Sequence, residues 1–484
     1  MTMTLAEYAA HDGLGLARLV ARREVTPREL AATAMRAIEA VNGDVNAVVE
    51  TYDDRISGLS EASLGSGPFH GVPFLMKDVF GHEGGRLIEF GSRLCRGMTA
   101  DRDSHYCELL KAAGVNIIGR TAAPEYSMAG TAEGALYGNT SNPWRKGYSA
   151  GGSTGGGQAA VTAGMVPLAH GSDIAGSIRI PAGWCGGLGL KPSRGRISFG
   201  PAIDENGFGL AANFVQAKSV RDAVAMLDCL AVAQPGDPFQ IAKPGEPYSK
   251  LAQTAAPRLR IGFTLKPLLG IAVDPEIADA VRATAKRLAD MGHVVFEQDP
   301  EFDGQASVNR FVDVWFFGFD LRLEGYAAKT GCKIGPETLE PMILSVYEHA
   351  KAMRPAQFFA ALGEINSARR KLGRFFSTAN IWLSPTLARV AEPWGNYNLG
   401  RTGITVHQMV EKLLAVPCQY TVPHNIMGTP AITLPLAQHS SGLPISVQLA
   451  GPPATEHTLL QLAADLEAAL PWQQRIPPLH VSRV

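Results

Sequence analysis

The sequence predicts a layered α/β protein, with helices over both faces of a β-sheet. Two observations carry this. Short apolar runs of strand character alternate along the chain with amphipathic stretches of helical period. The 484 residues are also 46% hydrophobic and only 18% charged, which excludes a disordered chain and leaves enough apolar surface for a large core.

The first sixty residues read as helices. Thr26-Pro27-Arg28-Glu29 is a capping box with proline at the first helical position, and Leu30, Ala34, Ile38 and Val41 follow at helical spacing. Gly71–Lys77 and Val115–Gly119 read as short apolar strands. The stretch 231–250 holds four prolines and no apolar period, so it reads as a surface connection. A βαβ unit follows: strand Leu259–Thr264, a helix begun by Asp274-Pro275 with Ile277, Val281, Ala285 and Leu288 on one face, Gly292 as its stop, and strand His293–Gln298. Residues 305–375 read as mostly helical and rich in Phe. Late strands are expected at Ile381–Ser384, Ala431–Pro435 and Ile445–Leu449, and a last helix near Glu456–Leu470.

Charge and composition narrow the function. Lys and Arg number 44 against 45 Asp and Glu, a net charge of −1, so no global field gathers nucleic acid or an anionic membrane. The six cysteines are scattered without a CxxC pair, as core thiols are. No HExxH occurs and no two histidines fall within four residues of each other, so no metal or cofactor is expected. The N-terminal residues lack a basic stretch followed by an apolar one, and a cytoplasmic protein is expected. Two long runs free of Asp, Glu, Lys and Arg, Gly147–Ser172 and Leu413–Thr455, are interrupted by glycine and proline and fit a buried core better than a membrane helix.

The chemistry concentrates around the glycines. Gly151-Gly152-Ser153-Thr154-Gly155-Gly156-Gly157 could cradle a phosphate or hold a hydroxyl in a tight turn. The phosphate reading needs a following Gly-Lys-Ser/Thr or a strand leading into the loop; no lysine follows and no strand clearly precedes. Farther on, Gly171-Ser172-Asp173-Ile174-Ala175-Gly176-Ser177 places small residues before a serine, a pattern that can aim several backbone N–H groups at one point, as an oxyanion hole requires. Ser177 is the candidate nucleophile. Its base is either a histidine or a neutral lysine. No GxSxG elbow with a later Asp and His stands out, whereas Lys77 follows the apolar Val72–Met76, where burial would favour the neutral amine. Spacing alone leaves open whether Lys77 does this or pairs with Asp78.

Together these segments resemble the amidase signature family. The resemblance covers most of the chain and rests on Gly71-Val72-Pro73-Phe74-Leu75-Met76-Lys77-Asp78, the glycine loop around Ser153, Gly171–Ala182, and Cys185–Ser193. It implies a three-layer α/β/α fold with a large mixed central sheet, as one amidase domain over 1–484. Within it, 1–60 would be N-terminal helices and 61–225 the catalytic core. Residues 226–420 would be a variable, mostly helical part that shapes substrate access, and 421–484 the return to the core. The resemblance implies a Ser–Ser–Lys triad: Ser177 as nucleophile, Ser153 as bridge held through a cis peptide, and Lys77 as base. The N–H groups of Ile174, Ala175, Gly176 and Ser177 would form the oxyanion hole. Asp173 and Arg179 would position the loop.

Two departures mark the chain. Ala175 stands where the family usually has Gly, and Thr154 where it commonly has Ser. The implied substrate-facing residues are Ser127, Met128 and Ala129, with Thr154 in support; Tyr137, Trp184, Trp315 and Trp394 are aromatic candidates for a pocket wall. The texture resembles a bacterial branch acting on non-natural amides, which implies a small neutral, hydrophobic amide as substrate and extends to esters and carbamates. A homodimer is the family-level expectation. The alternatives are the glutamine-hydrolysing A subunit of a tRNA-dependent amidotransferase, which shares the triad, and a catalytically dead scaffold.

Overall fold

The computed structural model describes residues 3–484. Eleven strands drawn from most of the chain form one mixed sheet: β1 (Val48–Thr51), β2 (Pro73–Lys77), β3 (Asn116–Thr121), β4 (Leu168–Asp173), β5 (Leu188–Lys191), β6 (Ala212–Ala217), β7 (Arg260–Phe263), β8 (Val294–Glu297), β9 (Ile381–Pro385), β10 (Ala431–Gln438) and β11 (Pro444–Ala450). Their order is β1-β3-β2-β4-β6-β5-β10-β11-β9-β7-β8. Strand β2 runs parallel to β3 and β4, and β7 runs parallel to β8 and β9. The remaining pairs are antiparallel. Helices pack on this sheet in the layered α/β arrangement expected.

Local chemistry explains the elements. Thr26 accepts the Glu29 N–H while Glu29 reaches back to the Thr26 N–H, and the helix Pro27–Val45 starts there. Pro275–Asp290 begins at Asp274, whose side chain accepts the Glu276 N–H, and buries Ile277, Val281, Ala285 and Leu288. Central strands β2, β3, β4, β5 and β6 are buried at every position, so they show no alternation of buried and exposed residues, and the polar side chains they carry are enclosed. Between 305 and 375 the chain is helical over Gly304–Phe316, Phe319–Thr330, Pro341–Ala352 and Pro355–Gly373.

Two expectations are corrected. The first sixty residues are not helical throughout: β1 (Val48–Thr51) lies within them and pairs with β3. A strand does precede the glycine loop: Arg145–Ser149 pairs with Ser141–Asn142 in a separate two-stranded ribbon. The loop then enters the helix Gly155–Thr162. Its glycines serve close approach. A Cβ on Gly152 would lie 2.4 Å from the Thr131 main chain, and one on Gly156 2.6 Å from that of Ala122. Among the described residues, no helix is long and apolar enough to cross a membrane.

Candidate active site

The register of two parallel strands positions the first side chain. Phe74 pairs with Leu168 and Leu75 with Ala169, and carried two residues on this sets Lys77 level with Gly171, next to Ser172. Both strands end there, at the carboxyl edge where open α/β sheets place their sites. Lys77 is 1% exposed. Its Nζ lies 2.7 Å from Ser153 Oγ and 2.9 Å from Ser172 Oγ. Burial holds this amine well below the ordinary lysine range, opposed only by the charge of Asp173.

The pairing of Lys77 with Asp78 does not occur. Strand β2 ends at Lys77, and Asp78 lies in the bend after it. Asp78 accepts from Arg120 at 2.6 Å and from the N–H groups of Glu89 and Gly91. Among the described residues, the amine's hydrogen-bond partners are therefore the hydroxyl oxygens of Ser153 and Ser172. Ser172 was missed as a contact in the sequence, although it stands in the motif that contains Ser177.

Ser153 follows a cis Gly152–Ser153 peptide and is fully buried. The Thr154 N–H donates to the Ser177 carbonyl at 3.2 Å, which seats Ser177 against the residue after Ser153. Ser177 is 6% exposed, and among the described residues its Oγ has no hydrogen-bond partner. Accessibility thus falls from Ser177 inward to Ser153 and Lys77. His170, the nearby imidazole, is no alternative base. It packs on the Tyr106 ring at 4.6 Å, neither nitrogen finds a partner, and burial pushes its pKa down to about 3.

The turn before Ser177 is fixed by Asp173 and Arg179, both fully enclosed. Arg179 donates through Nε and Nη2 to the two Asp173 oxygens, each at 3.0 Å. Asp173 also accepts the Gly176 N–H at 2.9 Å and the Ile178 N–H at 3.2 Å. This corrects the four-donor oxyanion hole, because the Gly176 N–H is already committed. The N–H groups of Ile174, Ala175 and Ser177 have no partner among the described residues. Gly176 adopts φ +134°, and a Cβ there would meet Thr421 Oγ1 at 2.4 Å. Ala175 is outside the left-handed region, so its methyl brings no backbone strain.

Thr154 also sits differently from expected. It is fully buried and donates to the Ser172 carbonyl at 3.3 Å, so it braces β4 instead of facing a pocket. The segment Pro124–Ala129 carries Tyr126 at φ +49° and Ser127 at φ +60°, and Ser127 Oγ is buried without a partner. Glu125 anchors it by accepting from Ser92 Oγ at 2.5 Å and from the Glu340 N–H at 2.7 Å. Met128 then faces a small aromatic cavity with Phe90, Tyr126, Trp315, Phe319 and Tyr326; Ala129 is buried beside it. Of the four aromatic candidates, only Trp315 lines this cavity. Trp184 is fully buried and stacks on Tyr397. Tyr137 bonds Asp78 and Glu89, and Trp394 donates to the Thr140 carbonyl.

The structure thus brings a buried lysine against a buried serine, beside the slightly exposed Ser177 in a turn with unpartnered N–H groups among the described residues. Residues 29–460 match the model of the Amidase family, and the chain belongs to that family. It is an amidase, a hydrolase of amide C–N bonds. The chain is 35% identical over 478 residues to the 6-aminohexanoate-cyclic-dimer hydrolase of Paenarthrobacter ureafaciens, covering 97% of this chain and 96% of that one. It is 29% identical over 476 residues to an acylamidase of Rhodococcus erythropolis, covering 96% of each. A solved structure of a 6-aminohexanoate cyclic dimer hydrolase complexed with substrate superposes with a TM-score of 0.92 at 34% identity, covering 97% of this chain and 99% of that one.

Proposed function

We propose that the protein hydrolyses neutral, hydrophobic amides through an acyl-enzyme on Ser177, with Ser153 as proton bridge and Lys77 as base. The observation that carries this is the buried Lys77 amine, 2.7 Å from Ser153 Oγ and held toward its neutral form. Ser177 Oγ attacks the carbonyl carbon, forming a C–O bond as the carbonyl electron pair moves onto oxygen. Its proton passes to Ser153, and the Ser153 proton to Lys77. When the tetrahedral intermediate collapses, the C–N bond breaks and the leaving nitrogen takes a proton from Ser153, which Lys77 resupplies. Water then repeats the sequence in reverse and frees the acid. The N–H groups of Ile174, Ala175 and Ser177 supply three donors for the oxyanion.

The cavity beside Met128 is mostly aromatic, with Arg322 as its one charged wall residue among the described residues, and this aromatic wall is the support for an apolar acyl part lying along Ser127, Met128 and Ala129. Trp315, Phe319 and Tyr326 bring residues 226–420 to the same cavity, which supports their role in substrate access within one amidase domain. Anilides, linear and cyclic amides all present the acyl carbon this triad attacks; esters and carbamates do too. The relatives named above are amide hydrolases, which favours this reading over a glutamine-hydrolysing subunit.

The test is purified wild type and Ser177→Ala against matched p-nitroanilide, p-nitrophenyl ester and aryl carbamate substrates, with glutamine as a fourth. Cleavage of the aryl substrates by wild type alone supports the proposal, and the rates rank the bonds. Hydrolysis of glutamine only would replace it.

A further inference from the structure

We propose that Asp313, His349 and His407 form a binding site for one divalent transition-metal ion of the zinc class, outside the triad. Asp313 lies on the helix Gly304–Phe316, His349 on Pro341–Ala352 and His407 on Val406–Met409. The three helices aim their side chains at one point. His349 Nε2 is 3.1 Å and His407 Nε2 2.9 Å from the same oxygen, Asp313 Oδ1. All three ligand atoms lie within 4.8 Å of one another.

The donor set suits the ion. Two imidazoles and a carboxylate make a three-ligand zinc site, with a fourth position left for water. Bonds of about 2.0–2.2 Å in tetrahedral geometry separate the ligand atoms by about 3.3–3.5 Å. The two measured edges fall short of that by a few tenths of an ångström, within reach of small side-chain rotations. Imidazole nitrogen selects zinc, cobalt or nickel over magnesium and calcium, which prefer oxygen.

The surroundings fit as well. Arg310 Nη1 donates to Asp313 Oδ2 at 2.7 Å, which fixes the carboxylate plane and leaves Oδ1 as the ligand. The site is reachable: the His407 side chain is 41% exposed and that of His349 27%, while that of Asp313 is 8% exposed. The His349 ring opens on a cleft lined by Leu344, Ser345, Glu348, Thr405 and Val406, the last next to His407 in the chain. Neither Nδ1 is buried without a partner, so both can keep a proton bonded to water while Nε2 binds the ion. A bound ion would cross-link three helices of the 226–420 segment, one of which carries Trp315, two residues beyond Asp313. The histidines are 36 and 94 residues from Asp313 along the chain, which is why no local zinc motif marks them.

The test uses the full-length, tag-free protein after chelator treatment. Zn²⁺ alone is titrated calorimetrically into wild type, His349→Gln, His407→Gln and the double variant. Co²⁺ is then added as a spectroscopic probe. One equivalent of Zn²⁺ should bind wild type and raise its melting temperature. Each single variant should bind at least about tenfold more weakly, in line with the loss seen when lesser supports of a metal site are removed. Co²⁺ should give the visible absorption of a four-coordinate site in wild type and lose it in the double variant. Equal melting temperatures of all four proteins without metal show that the variants fold. Absence of Zn²⁺ binding by wild type, leaving a plain hydrogen-bonded His–Asp–His cluster, would overturn the proposal. So would equal binding by the double variant, which would place the ion elsewhere, for instance on the free cysteines.

Discussion

Lys77 Nζ lies 2.7 Å from Ser153 Oγ, and among the described residues no carboxylate is paired with it. The one acid that acts on it, Asp173, is saturated by Arg179, Asn425 and two backbone N–H groups. Burial therefore dominates its electrostatics and favours the neutral amine.

The first prediction is a pH signature of that amine. The unfolded chain binds a proton at Lys77 up to the ordinary value of 10.5, while the folded chain releases it well below. Between the two the unfolded state holds more protons, so folding stability from this group rises with pH. Lys77→Met should lose about 10²–10⁴-fold in kcat/KM. It should also lose this slope, so that wild type gains on the variant in urea denaturation from pH 7 to 10. A constant difference would mean that Lys77 is not depressed. Activity of wild type should fall on the acid side as Lys77 takes up its proton.

The second concerns the ion pair under the turn. Burial raises the Asp173 carboxyl, and the Arg179 guanidinium more than reverses this, holding it at about 2. A depressed acid stabilises the fold fully above its unfolded value of 3.8, and that contribution is lost as pH falls through about 2. At neutral pH, Arg179→Met leaves a buried carboxylate unpaired and should cost about 3–5 kcal/mol in urea denaturation. The rate should fall too, because Asp173 orients the Gly176 and Ile178 N–H groups. A cost below about 1 kcal/mol would show that Asn425 and the backbone suffice.

A third contrasts adjacent residues. Gly176→Ala drives a Cβ to 2.4 Å from Thr421 Oγ1 and 2.8 Å from Ile180 Cδ1, at φ +134°. Since this turn sets the donors flanking Ser177, kcat should fall by about 10²–10³-fold, the scale of one lost oxyanion donor. Ala175→Gly restores the family's usual residue but relieves nothing, because Ala175 is not left-handed. It should cost about 0.4–1 kcal/mol through the freer unfolded chain, with no gain in kcat. A faster Ala175→Gly enzyme would mean that the methyl crowds the site.

Much of this was legible in the sequence because it is encoded locally. The Thr26–Glu29 capping box, the apolar run into Lys77 and the helix begun at Asp274 each lie within one element. The serines and their glycines lie within single loops. What could not be read depends on partners far apart in the chain. Asp78 turns to Arg120, 42 residues on, and not to its neighbour Lys77. The Gly176 N–H is consumed by Asp173 through a bend that no spacing rule describes. Trp184, an aromatic candidate for the pocket, is enclosed by Tyr397, and Asp313 meets its two histidines only through the packing of three helices.

The last prediction tests the anchor of the segment that carries Met128. Glu125 is enclosed beside Glu340, and burial pushes its pKa up to about 8 against the hydrogen bonds from Ser92 and the Glu340 N–H. From its ordinary 4.5 to about 8 the folded state therefore holds a proton that the unfolded state has lost. Stability from this group falls as pH rises across that window. Glu125→Gln mimics the protonated acid, since its amide can donate to Ser92 Oγ while its carbonyl accepts the Glu340 N–H. Wild type and variant should therefore be of similar stability at pH 5. By pH 8 the variant should lead by on the order of a few kcal/mol, since each tenfold difference in proton affinity between the folded and unfolded chain is worth about 1.4 kcal/mol. Parallel stability curves would show that Glu125 is ionised throughout. Aryl-amide hydrolysis followed in parallel would then tell whether a charged Glu125 holds Met128 as well as a neutral one does.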